Sequence, residues 1–195
     1  MNQDVYELVI QGHALGAQGA CVGQLNEEVK GRKGQQLEAI WAIECGTLNR
    51  VISLWKGEPA PVAEVEAAQD WLSQGRVSRR LVERRPLCRE LLNAPFVDMR
   101  TYAPHAGRFE EFIETMTKAL RYREQYSPCA GLWASRERGV DIVVHFWPYD
   151  SLEHRRDARR SAATNADWAA YRKAIEPMIA AMQAALIVPV TTGVS

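Results

Sequence analysis

AIWAIECGTLNRVISLW (39–55) and GLWASRERGVDIVVHFW (131–147) are the stretches that decide how this chain folds. Laid one above the other without a gap, Trp41 meets Trp133, Ala42 meets Ala134, Asn49 meets Asp141, Val51 meets Val143 and Trp55 meets Trp147. Tryptophan is rare, so two coincidences at one offset point to an internal repeat. On one side VYELVI (5–10) is similar to FVDMRT (96–101). On the other, AQDWL (68–72) is similar to NADWA (165–169) after a small change of length. The sequence therefore predicts two copies of one unit, over residues 1–94 and 95–195, joined near Asn93-Ala94-Pro95.

The second copy is the clearer one. Val97 to Tyr102 alternates polar and apolar residues, as a strand with one polar face does. Phe109, Phe112, Ile113, Met116 and Leu120 then recur at helical spacing. A turn at Ser127-Pro128 leads to a strand near 130–135, a hairpin at Glu137–Gly139 and a returning strand at Asp141–Trp147. Asp150 or Ser151 offers an N-cap for a helix that begins LEHRRDARR. Helical character resumes at Asp167, and ALIVPV (185–190) closes the unit as a strand. The order β-α-β-β-α-β is the ferredoxin-like unit. In the first copy Gly16, Gly19 and Gly23 weaken the first helix, the second helix reads as longer and more basic, and the last strand falls at Leu87–Leu92. Such a unit leaves one face of its sheet bare. Two units in one chain supply the cover, so the expected fold class is α+β: tandem ferredoxin-like units forming a barrel-like body.

Composition excludes several functions. Lys and Arg balance Asp and Glu at 24 each, so no net field steers the chain to nucleic acid or acidic lipid. RRLVERR (79–85) and HRRDARR (154–160) read as solvated helix faces, with anion capture by Arg155 and Arg159, one turn apart, as the other reading. No apolar run is long enough to span a bilayer, and MNQDVYELVI has no targeting character. Cys21, Cys45, Cys88 and Cys129 show no metal-ligand spacing and read as reduced, mostly buried thiols of a cytoplasmic protein. No phosphate loop, dinucleotide fingerprint, nucleophile elbow or haem-attachment motif is present. No cofactor or metal is expected.

At VYEL, VDMRTY, GTLNRVISLW, VDIVVHFWPYDSLEHRR and NADWAAYRKAIEPM the sequence resembles the NIPSNAP family of the dimeric α/β-barrel superfamily. The resemblance covers nearly all of the second copy and scattered parts of the first, and "VVHFWPYDSLEHR" is its most specific element. It implies a barrel fold with a pocket. Superfamily relatives include cofactor-independent monooxygenases, isomerases, decarboxylases, haem enzymes and domains without demonstrated catalysis, so no reaction follows from fold alone. The second copy keeps Asp98, Arg100, Tyr102, His145, Trp147, Tyr149 and Asp150 at the family's positions. The first has Val9 in place of the arginine and Ser53 in place of the histidine, while Glu7, Asn49 and Trp55 remain.

His145 is the polar residue inside an apolar strand, on one face with Val143 and Trp147. With the unit's first and third strands read as parallel neighbours, Asp98 and Arg100 share that face. A small anionic or enolic ligand suits such a group. Arg100 binds the anion, His145 moves a proton, and Tyr102, Trp133 and Trp147 form walls, with His105 at the mouth. His145, Arg100 and Asp98 are the candidate catalytic residues. The same residues also fit plainer roles: a hydrogen-bonded core histidine, packing tryptophans and a structural Arg100–Asp98 ion pair. The competing functions are an interaction scaffold and a haem protein ligated through His145 or His105. A homodimer stays open.

Overall fold

The computed structural model describes residues 3–59, 75–137 and 139–190. Its first half comprises β1 (Val5–Gly12), α1 (Gln18–Gly31), β2 (Gln36–Cys45), β3 (Arg50–Lys56) and β4 (Arg76–Arg85). The second comprises β5 (Phe96–Pro104), α2 (Phe109–Arg123), β6 (Gly131–Glu137), β7 (Val140–Tyr149), α3 (Leu152–Thr164), α4 (Ala166–Ile175) and β8 (Ile179–Pro189). The eight strands close into one barrel in the order β1-β3-β2-β8-β5-β7-β6-β4, with every neighbouring pair antiparallel. The fold is thus mixed α/β, with a closed sheet and, among the described residues, four α-helices.

Alternation along each strand sends one set of side chains into the barrel and the other outward. Inside lies a packed core drawn from all eight strands, including Tyr6, Leu8, Trp41, Ile52, Leu81, Met99, Trp133, Phe146 and Ile187. Each large apolar side chain buried there stabilises the fold by roughly 1.5–3 kcal/mol. Trp41 and Trp133, the first tryptophans of the repeated stretches, both point inward and meet Phe146 at 5.3 and 5.2 Å between ring centroids. The Trp133 ring lies over Gly131, where a Cβ would come within 2.3 Å of it, so only glycine fits. Outside, α2 lays Phe109, Phe112, Ile113, Met116 and Leu120 on Leu132, Ala134, Val143 and Trp147. A smaller outer cluster packs Cys21, Val22 and Leu25 of α1 on Val9, Val51 and Trp55.

Several expectations are corrected. β5 and β7 run antiparallel, because the β6–β7 hairpin reverses the chain after the α2 crossover. Leu87–Leu92 is not a strand: β4 ends at Arg85, and Arg89–Asn93 is a 3-10 turn. RRLVERR belongs to β4, whose burial alternates residue by residue through Leu81, the mark of a strand and not of a helix face. Of the cysteines, Cys21 and Cys129 are buried, but Cys45 and Cys88 are exposed. Ser151 does cap α3, its hydroxyl accepting from the His154 N–H at 3.0 Å. The AQDWL stretch lies outside the described residues. Among the described residues, no helix is long and apolar enough to cross a membrane.

Candidate functional site

Between the outer face of the β5–β7 ladder and helices α2, α3 and α4 lies a cavity of about 700 Å³. Register places its floor. Arg100 sits opposite His145, and Asp98 opposite Trp147, so all four side chains emerge on one face. Tyr102 joins them from the end of β5 and Tyr149 from the end of β7. The helices contribute Met116 and Arg123, Arg159, and the Trp168–Ile175 face of α4.

Asp98 is buried and takes three arginines. Arg100 donates to both of its oxygens, Nε to Oδ1 and Nη2 to Oδ2, each at 3.0 Å. Arg155 approaches Oδ2 with Nε at 3.1 Å and Nη2 at 3.0 Å, and Arg159 with Nη1 at 3.3 Å. The Nε and Nη2 of Arg100 are therefore engaged by Asp98 in this structure.

His145 is neutral: burial, and then the charges of Arg100 and Arg123, push its pKa well below the ordinary value. The Trp147 indole N–H, which can only donate, gives a hydrogen bond to His145 Nδ1 at 2.5 Å. Nδ1 is thus the acceptor and the proton resides on Nε2, which is buried without a partner among the described residues. In this state the ring, which lines the cavity, carries an unused N–H donor at Nε2. It offers no lone pair to a haem iron unless the Trp147 bond breaks. Tyr102 lies beside it, ring centroids 5.0 Å apart and planes tilted by 44°, its phenol kept protonated by burial.

Arg123 is one of the cavity residues that sequence reading missed, with Arg172 and Lys173. It is buried, gives Nη2 to the Tyr149 hydroxyl at 2.7 Å and lies 4.8 Å over the Trp147 ring. Its Nη1 has no partner among the described residues. The signal was present: Arg123 continues the apolar stripe through Met116 and Leu120, an odd place for a charge.

Trp133, expected as a wall, and His105, expected at the mouth, lie elsewhere. Trp133 points into the barrel core, because its neighbours on β6, Leu132 and Ala134, take the outer face. His105 sits exposed on the loop after β5, its backbone N–H donating to the Met178 carbonyl and its own carbonyl accepting from the Arg108 N–H, and does not line the cavity. Trp147 does line it.

The first half repeats part of this pattern. The Trp55 indole N–H donates to Ser53 Oγ at 2.8 Å, as Trp147 does to His145. Glu7 stands opposite Trp55 in register and accepts from Arg32, Gln35 and Ser78, while Arg32 lies 4.1 Å over Trp55. Where Arg100 faces His145, however, Val9 faces Ser53, and Val9 packs under α1 with Cys21, Val22 and Leu25.

The family match among known proteins falls in the second half. Residues 97–193 match the NIPSNAP family model. A NipSnap homolog of Dictyostelium discoideum is 25% identical over 174 residues, covering 81% of this chain and 77% of that protein. Human NipSnap homolog 3B is 31% identical over 74 residues, which is 37% of this chain and 30% of the human protein's length. An uncharacterized NIPSNAP domain protein from Burkholderia xenovorans, of known structure, is 29% identical with a TM-score of 0.47, covering 51% of this chain and 99% of that one. Over nearly the whole length the fold is similar to that of an anthrone oxidase-like protein, with a TM-score of 0.71 at 9% identity, covering 98% of this chain and 92% of that one. At that identity the likeness concerns the fold alone, which is similar also to that of a putative monooxygenase from Lactobacillus acidophilus, with a TM-score of 0.61 at 7% identity, covering 96% of this chain and 94% of that one. The stretch that matches the NIPSNAP family model, residues 97–193, is the one that builds the cavity.

Proposed function

We propose that this protein binds a small anionic or enolic molecule in the cavity of its second half, without a bound cofactor. One observation carries the reading: His145 Nε2–H and Arg123 Nη1 are buried donors without partners among the described residues, and both residues line one cavity. A buried donor left unpaired costs about 1–3 kcal/mol, a cost that an anionic oxygen placed between the two removes. Trp147 fixes the imidazole as a donor, Asp98 anchors Arg100 beneath it, and Tyr102 and Trp168 supply flat walls. An enolate oxygen entering the cavity as such would accept from the same Nε2–H, so His145 serves as an oxyanion donor and not as a base.

We also infer that the chain is a duplicated ferredoxin-like unit, 1–94 and 95–195. Each half has its own strands in the same order, β4-β1-β3-β2 and β8-β5-β7-β6, and the paired Trp55–Ser53 and Trp147–His145 bonds support the correspondence. On this reading the first half is the structural one, since Val9 fills the place of Arg100.

A thermal-shift screen of carboxylates, phenols and enolisable ketones tests the binding proposal. A true ligand at a hundredfold excess over its Kd stabilises by about 2.7 kcal/mol. His145→Ala and Arg123→Met should each abolish that gain. A screen in which nothing stabilises the wild type, or in which both variants respond as it does, would leave an interaction scaffold as the better account.

A further inference from the structure

The charge around Asp98 does not balance. One carboxylate receives Arg100, Arg155 and Arg159, and no other acid lies within ion-pair distance of the last two among the described residues. Oδ2 is crowded by all three, and Arg159 holds it by a single contact at 3.3 Å, the longest of the set. Its side chain is 45% exposed, so turning it away from Asp98 gives up little. Across the cavity α4 adds Arg172 and Lys173. The lining as a whole has five cationic side chains against Asp98 and Glu176, an excess of three positive charges. A monoanion held by His145 and Arg123 leaves most of that excess in place.

Resting on the anion-binding reading above, we propose that the cavity selects dianions: the first charge is taken by His145 and Arg123, and the second by Arg159 and Arg172. A phosphate monoester and a dicarboxylate both supply the required oxyanion chemistry. Burial, and then repulsion from Arg100 and Arg155, lower the pKa of Arg159, which is the signature of cations held together without enough counter-charge.

Titration calorimetry at fixed ionic strength with benzamide, benzoate, phthalate and phenyl phosphate tests this. Phthalate and phenyl phosphate should bind about tenfold more tightly than benzoate, the scale of one added charge-assisted contact. Preference for one of the two dianions identifies which source the site favours. Arg159→Gln should shrink the dianion-to-monoanion ratio to about threefold or less, Arg159→Lys should keep most of it, and Arg156→Gln on the solvent side of the same helix should leave it unchanged. Equal affinities for benzoate and phthalate would overturn dianion selection while leaving anion binding intact. No binding by any of the three charged probes would overturn both.

Discussion

Asp98→Asn should move stability and ligand affinity in opposite directions. Asp98 has 3% of its side chain exposed, and its partners open progressively to water, Arg100 at 13%, Arg155 at 29% and Arg159 at 45%. Removing one partner of a buried ion pair costs about 3–5 kcal/mol, because the surviving charge is left uncompensated. Here the full cost attaches mainly to Arg100, since water screens Arg155 in part and Arg159 largely. The asparagine also keeps one acceptor oxygen. The expected loss is therefore about 3 kcal/mol, at the low end of that range. The same change releases guanidinium groups at the cavity floor, so phthalate should bind more tightly to Asp98→Asn than to wild type. Urea denaturation with an unchanged m-value gives the first quantity and calorimetry the second. A loss below about 1 kcal/mol would show that the carboxylate does not organise the arginines. Weaker phthalate binding at an intact fold would show that Asp98, and not the cations it holds, shapes the site.

Three further outcomes are expected. His145→Ala and Ser53→Ala each strand a tryptophan N–H, so both should destabilise by about 1–3 kcal/mol in urea, but only His145→Ala should remove ligand stabilisation in a thermal-shift assay. With its pKa lowered in the folded chain, His145 stays neutral where the unfolded chain, near its ordinary 6.5, takes up a proton. The unfolded state then binds more protons, so stability falls as pH drops below about 6.5, and urea midpoints for His145→Ala should lose that part of the slope. Burial raises the Cys129 thiol to about 12 and also raises Cys21, so a thiol reagent at neutral pH should label Cys45 and Cys88 quickly, and Cys21 and Cys129 only after unfolding.

Periodicity made β5, α2, β6 and β7 legible, because alternation and helical spacing are written directly in burial. It also put Asp98, Arg100 and His145 on one face, even though the strand direction was misread. In a ladder, opposed residues share a face whichever way the partner runs. Trp133 shows the limit of that reading. One polar residue marks the outer face of β7, but β6 is apolar on both sides, so nothing local told which side its tryptophan takes. β4 is hard to read for a related reason: Arg79, buried on the same side as Val77 and Leu81, interrupts the apolar alternation that would mark a strand. Arg123 carries a local mark, a charge on the apolar stripe of α2, and Arg159 pairs with Arg155 by spacing, but that these two and Arg172 meet at one cavity follows only from the packing of helices on the sheet, which spacing along the chain does not encode.

The barrel closes at two seams, β2 with β8 and β4 with β6, and these are its shortest ladders. They align four and three residue pairs, each with a register shift, against seven in β1–β3 and β5–β7. While the seams hold, no strand edge is free to template another chain. Once both part, each half exposes two edges whose best complement is the opposite half of any copy nearby. Two opened molecules can then exchange halves and rebuild every ladder between them, giving a domain-swapped dimer whose barrels are the same as the monomer's. Its abundance would rise with concentration and with mild denaturant, because opening at the seams disrupts far fewer strand pairs than unfolding either half.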